Sequence, residues 1–340
     1  MSAPAEGDSS LKSVVVAVAV NVVIMIAKYV GWFLTASPAM LGEAIHTTAD
    51  VGNQVLLWIG IRQSARAATP EHPYGWGAAR WMWNLMSAMG IFFLGCGVTA
   101  YHGIHSLELY LRGHAEPPSH NHVGLIILAV SFVLESFSFV VAMQGINKDR
   151  GDTPFLEFLR QGDDPTGVGV LLEDSAAILG VLFALVGIGL SQWLDSPLPD
   201  AIATLIIAVL LGVIAVFLAK ANGRLLVGAS ASPDAEGKIR DALSKDPIVD
   251  RLIDLKTEII GAGKIRVTAQ VELHEKLLAT RMKVDLDRGV ERLAKGEPAL
   301  PVLTEVAERA VLVTGKEVQR LNGVIDEAVP EAAYVDLEIQ

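Results

Sequence analysis

Long apolar runs separated by short polar connections fill the chain up to about residue 227, and the pattern then changes character. Six runs, roughly Val14 to Leu34, Ala39 to Ile61, Trp81 to Leu107, Val123 to Met143, Val168 to Leu190 and Ala201 to Ala219, reach the length of about 20 residues that a helix needs to cross a bilayer. The first is too long for a secretory signal peptide, lacks a small-residue cleavage pattern and has further spans behind it, so it is predicted to stay as an anchor. Beyond Val227 charges become frequent, and Ser230-Ala231-Ser232-Pro233-Asp234 offers a helix start. There the pattern predicts a helix over Asp234 to Lys245, strands over Arg251 to Ile260 and Lys264 to Leu273, a long helix over Val302 to Ala328 and a last strand over Ala333 to Ile339. Ile265, Val267, Ala269 and Val271 alternate as a half-buried strand requires. The expected architecture is a six-helix membrane domain (residues 14–222) behind a short tail (1–13), followed by a cytosolic α+β domain (223–340) with an insertion near 274–301.

Composition agrees with this division. Of 340 residues 51% are hydrophobic and 19% charged, with a mean hydropathy of +0.43, which places the chain among membrane proteins. A net charge of −11 argues against a nucleic-acid partner. One cysteine, Cys96, excludes a disulfide framework or a zinc–thiolate cluster within the chain. Lys12, Arg62, Arg66, Arg80, Lys148, Arg150, Arg160, Lys220 and Arg224 fall on one side of the predicted spans and Arg112 on the other, so both termini are expected in the cytoplasm. Trp81, Trp83 and Trp193 are expected as interfacial anchors.

Ionisable groups inside the spans are costly unless paired, hydrated or ligated, and they mark candidate chemistry. On the second span Glu43, His46 and Asp50 recur three and four residues apart, on one helix face, with Asn53 a turn further on. The fifth span carries Glu173 and Asp174; Lys28 and Glu135 lie on the first and fourth. A His and an Asp at i and i+4 can converge on one cation, and a carboxylate from a facing helix would add a third ligand. Equally, the pair can hydrogen-bond to each other as membrane glue. Spacing alone leaves both readings open. Lys28 is expected to snorkel to the interface, and Asn53 to make a helix-packing hydrogen bond.

The run Ser37-Pro38-Ala39-Met40-Leu41-Gly42-Glu43-Ala44-Ile45-His46-Thr47-Thr48-Ala49-Asp50, with Asn53-Gln54 and His72-Pro73-Tyr74-Gly75, resembles the cation diffusion facilitator family of divalent-metal transporters. Leu171-Leu172-Glu173-Asp174-Ser175-Ala176-Ala177 is most similar to the subgroup with the animal mitochondrial zinc transporter. The resemblance implies a homodimer that exchanges zinc for protons by alternating access, with zinc as transported substrate, no organic cofactor, and a ferredoxin-like cytosolic domain that helps dimerisation. It also implies a transport site with two residues from the second helix, here His46 and Asp50, and two from the fifth. There the family's His-x-x-x-Asp reads Val170-x-x-x-Asp174, so one ligand is missing.

Glu173 is the first substitute: at about 100° per residue it projects some 60° to one side of position 170 while Asp174 projects some 40° to the other. Glu43, Glu135 and water follow. In the loop after the second span Trp76 stands where relatives carry a metal ligand, leaving Glu71 and His72 as a poor site. The last strand, Tyr334-Val335-Asp336-Leu337-Glu338, lacks histidine, and His274 is alone in its domain, so no regulatory zinc cluster is expected there. His102, His105, His114, His120 and His122 are expected at or near a solvated outer loop.

Ligand protonation is the expected coupling: His46 must be neutral and the carboxylates ionised to bind a divalent cation. Export of zinc against protons is the expected function, in a bacterial inner membrane, since no Arg-rich transit segment is seen. Same-fold transport of manganese, iron or cobalt is the alternative, favoured by an oxygen-rich site; a non-transporting scaffold and a membrane metalloenzyme are more distant ones.

Overall fold

The computed structural model describes residues 6–118, 122–149, 154 and 165–340. Arg150, Arg160 and His120 lie outside them. The chain divides into two compact units, Met1–Val227 and Gly228–Gln340.

In the first unit the described helices are α1 (Glu6–Thr35), α2 (Pro38–Ser64), α3 (Ala79–Leu111), α4 (Val123–Asp149), α5 (Pro165–Leu194) and α6 (Leu198–Val227). Four contain stretches long and apolar enough to cross a membrane: all of α3, Val123–Val141, Leu171–Leu194 and all of α6. In α1 the apolar stretch is the shorter Asn21–Thr35. The start of α2 is built locally: Pro38 occupies its first turn, and the Ser37 hydroxyl accepts from the Met40 amide at 3.1 Å. Within α3, Ile91–Val98 is a π-helical stretch.

The bundle packs through small and branched side chains, among them Ala39, Ala88, Leu128, Ala176, Val181, Ala184, Ile207 and Leu211, all nearly inaccessible. Small residues bring helices close, which matters in lipid because apolar side chains gain little by leaving it. At Gly103 an added Cβ would stand 2.8 Å from Leu205 Cδ2, so α3 and α6 touch there almost backbone to side chain. The outer surface is apolar: Phe33, Val133, Phe137 and Val209 are largely exposed. Of the expected anchors, Trp193 is exposed, but Trp81 is buried in the bundle and is no interfacial residue. Trp83 is half-buried and donates from its indole to Gln63 at 2.6 Å.

The second unit contains α7 (Pro233–Lys245), β1 (Val249–Gly261), β2 (Lys264–Leu273), α8 (Glu275–Arg281), α9 (Lys283–Ala294), α10 (Ala299–Ala328) and β3 (Ala332–Ile339). Ser232 caps α7 at the Ala235 amide, 3.2 Å, with Pro233 behind it. β1 and β2 form an antiparallel hairpin whose turn needs the positive φ of Gly263; β3 joins β2 in parallel, giving the order β1-β2-β3. Ile265, Val267, Ala269 and Val271 are buried, as their alternation predicts. Ile239 and Leu243 of α7 and Leu321 and Ile325 of α10 are wholly buried, and each such side chain contributes about 1.5–3 kcal/mol. The expected insertion is helical, comprising α8, α9 and the start of α10. Arg320 grips Asp246 with two bonds of 2.6 and 2.7 Å and reaches Glu317 at 2.9 Å, while Arg281 of α8 also bonds Glu317. This ties the end of α7 to α8 and α10 and holds the Asp246 carboxyl below the usual carboxylate range.

Candidate metal site

The polar face of α2 is turned into the bundle. Glu43, His46 and Asn53 are buried, and Asp50 is half-buried. His46 Nδ1 lies 3.6 Å from Asp50 Oδ1, too far for a hydrogen bond. Among the described residues neither imidazole nitrogen, nor Asp50 Oδ1, has a hydrogen-bond partner. Buried polar atoms are seldom left so; the two side chains lie close without sharing a hydrogen bond.

α5 supplies two carboxylates that diverge. Asp174 Oδ2 accepts from Ser138 of α4 at 3.3 Å. Glu173 Oε2 accepts from the Asn53 amide of α2, whose own oxygen accepts from Ser87 of α3 at 2.6 Å. Asn53 therefore makes the cross-helix bond expected of it, and it holds Glu173. Asp50 lies within electrostatic reach of both Glu173 and Asp174. The side chains do not form a ready-made cage: among the described residues no three His, Cys, Asp or Glu groups are close enough to hold a metal ion.

Glu43 and Glu135 are drawn elsewhere. Lys28 Nζ lies 2.9 Å from Glu43 Oε2 and 2.8 Å from Glu135 Oε1. Lys28 is completely buried, which corrects the expected snorkelling: a lysine with two carboxylates in reach gains more from them than from stretching towards the interface, about 10 Å away along α1 at 1.5 Å per residue. The signal was present in the sequence as one basic and two acidic residues on three apolar spans, but only the packing of α1 against α2 and α4 brings them together.

The remaining histidines are spread out. His72 stacks on Trp76 with ring centres 3.6 Å apart, and Arg66 stands 5.7 Å over the same indole. His102 and His105 belong to α3 and pack on Tyr101. His274 faces Asp250 at 3.9 Å.

Comparison with known proteins identifies the family. Residues 14–227 match the model of the cation efflux transmembrane domain. The chain is 34% identical to the proton-coupled zinc antiporter SLC30A9, mitochondrial, of Xenopus laevis over 96% of its length, and 30% identical to metal tolerance protein C4 of Arabidopsis thaliana over 97%. It spans 59% of the frog protein and 73% of the plant one. Similarity at 23% identity extends to the manganese efflux system protein MneP of Bacillus subtilis, over 83% of this chain and 86% of that one. The frog relative is named as mitochondrial and the other comes from a plant, which gives the expected bacterial inner membrane no support. The apolar helices, the polar face turned into the bundle and the match over residues 14–227 together place the chain in the cation efflux family: it is an integral membrane protein of the transporter class, not an enzyme.

Proposed function

We propose that the chain carries a divalent metal, zinc in the first place, out of the cytoplasm in exchange for protons by alternating access. The observation that carries this is the His46–Asp50 pair on the inward face of α2, whose imidazole nitrogens and Asp50 Oδ1 have no hydrogen-bond partner among the described residues. With Asp174 from α5 it would offer three protein ligands, leaving one position for water in a tetrahedral site. Glu173, held by Asn53, supports the site from outside the ligand set. Neutral imidazole and ionised carboxylates bind the cation, and their protonation releases it. Transport then follows whichever way the proton gradient favours release. The relatives named as zinc antiporters support zinc; the carboxylates on α5 and the relative named for manganese efflux support manganese, iron or cobalt as the second reading. We read the bundle as six membrane spans with both termini in the cytoplasm, and the second unit as a ferredoxin-like module through which two copies dimerise.

The test is metal uptake into proteoliposomes under an imposed pH gradient, comparing zinc, manganese and cobalt. Asp50→Ala and Asp174→Ala should each abolish uptake while the protein stays folded. Normal proton-driven uptake in both variants would sink the site assignment.

A further inference from the structure

The cluster of Lys28, Glu43 and Glu135 is not part of the proposed ligand set, yet it adjoins it. Glu43 precedes His46 by one helical turn, on the same face of α2, and the Glu135 and Lys28 charges act on Asp50. The cluster is built with some care. Lys28 and Glu43 are wholly buried and Glu135 nearly so. Gly180 of α5 leaves the space that the Glu43 carboxylate fills, since an added Cβ there would collide with Glu43 Oε1. The ammonium takes one oxygen of each carboxylate, and among the described residues the other two, Glu43 Oε1 and Glu135 Oε2, have no hydrogen-bond partner.

We propose that Lys28 is a specificity-determining residue: its ammonium is a resident cation that keeps Glu43 and Glu135 out of the metal's ligand set and so keeps the pathway from accepting hard, oxygen-seeking ions. The argument is geometric. Nζ stands 2.8 and 2.9 Å from one oxygen of each carboxylate, ordinary lengths for charge-assisted hydrogen bonds, so the positive charge sits between two carboxylates brought from different helices. A divalent ion in its place would meet two carboxylates from two helices, the donor set that suits manganese, calcium and magnesium rather than zinc. With the lysine in that position, the His46 nitrogens and Asp50 Oδ1 stay without a described partner beside it, and there imidazole favours a softer metal.

This inference rests on the proposed transport site, and the experiment separates the two. Manganese and zinc binding to the purified full chain is titrated for the native protein, Lys28→Met, Lys28→Met with Asp50→Ala, Lys28→Met with Glu43→Gln, Glu135→Gln and Asp50→Ala. Lys28→Met should gain one manganese equivalent that survives Asp50→Ala and disappears with Glu43→Gln, and its preference for zinc over manganese should fall by roughly tenfold or more. A folded Lys28→Met protein with unchanged manganese binding and unchanged preference overturns the proposal. Glu135→Gln keeps one carboxylate per ammonium and provides a second arm if Lys28→Met does not fold: zinc affinity should stay within about threefold of native, and a loss of roughly tenfold would make Glu135 a ligand and overturn the proposal. Zinc binding retained by Asp50→Ala alone would refute the transport-site reading, whatever Lys28→Met does.

Discussion

Replacing Asn53 by alanine tests whether Glu173 is held as a support or serves as a ligand. Asn53 donates to Glu173 and accepts from Ser87, so truncation strands both a carboxylate and a buried hydroxyl. A hydrogen bond to a charged group contributes about 1.5–3 kcal/mol and a neutral one about 1. Glu173 is only half-buried, so water recovers part of the loss, and a net cost of about 2 kcal/mol is expected. For a unit of this size that lowers the unfolding midpoint by roughly 4–8 °C. All six tryptophans lie in the first unit, and their fluorescence in detergent, scanned at one fixed rate, reports its unfolding alone. Glu173→Ala should cost a similar amount, and the double variant little more than either single one, giving a coupling of about 1–2 kcal/mol. Both single variants should retain zinc transport at reduced rate. If the two costs simply add, or if Glu173→Ala abolishes transport while Asn53→Ala leaves it intact, the support role is wrong and Glu173 belongs with the metal.

Two further substitutions follow from packing and charge. Gly180→Ala drives a methyl into the Glu43 carboxylate and should destabilise the bundle by about 1–3 kcal/mol, whereas Gly189→Ala on the same helix, with nothing within 4 Å of its added Cβ, should be neutral or gain up to about 1 kcal/mol from helix propensity; equal midpoints for the two would refute the close approach. In the second unit the Asp246 carboxyl is held below its ordinary value by Arg320, so its contribution is complete above the unfolded value near 3.9 and is lost as pH falls through the lower folded value. Hydrogen exchange in β1 and β2 should therefore show Asp246→Asn less protected than native at pH 7 and the difference closing as acid protonates the native carboxyl; a difference that persists in acid would mean the variant acts through packing.

Much of the fold was legible because its signals are local. The alternation from Ile265 to Val271 fixed a strand, Ser232-Pro233 a helix start, and the uninterrupted apolar runs the long helices. The candidate site was legible in part for the same reason: Glu43, His46, Asp50 and Asn53 share a face by spacing alone. What escaped depends on partners distant in sequence. Lys28 and Glu135 are 107 residues apart, and one helix read by itself offers the lysine only its own end to reach for. Trp81 looked like an anchor because it begins a span, yet α3 turns it inward. That Glu173 receives the Asn53 amide, itself held by Ser87, depends likewise on three helices coming together.

The π-helical stretch of α3 changes how that helix can be sampled by substitution. Up to its first residue the hidden positions Trp81, Asn84, Ser87, Ala88 and Ile91 keep ordinary helical spacing, while from Ile91 on they are Ile91, Gly95, Thr99 and Gly103, every four residues. In an ideal α-helix each such step slips by about 40°, so three steps would carry the face well round the cylinder. Wider turns absorb the slip and keep one edge of α3 against α6 along its length. A scan from Ile91 to Gly103 would thus beat with a period of four rather than 3.6, and a helical wheel carried through from the start of α3 would mark the wrong residues there as tolerant.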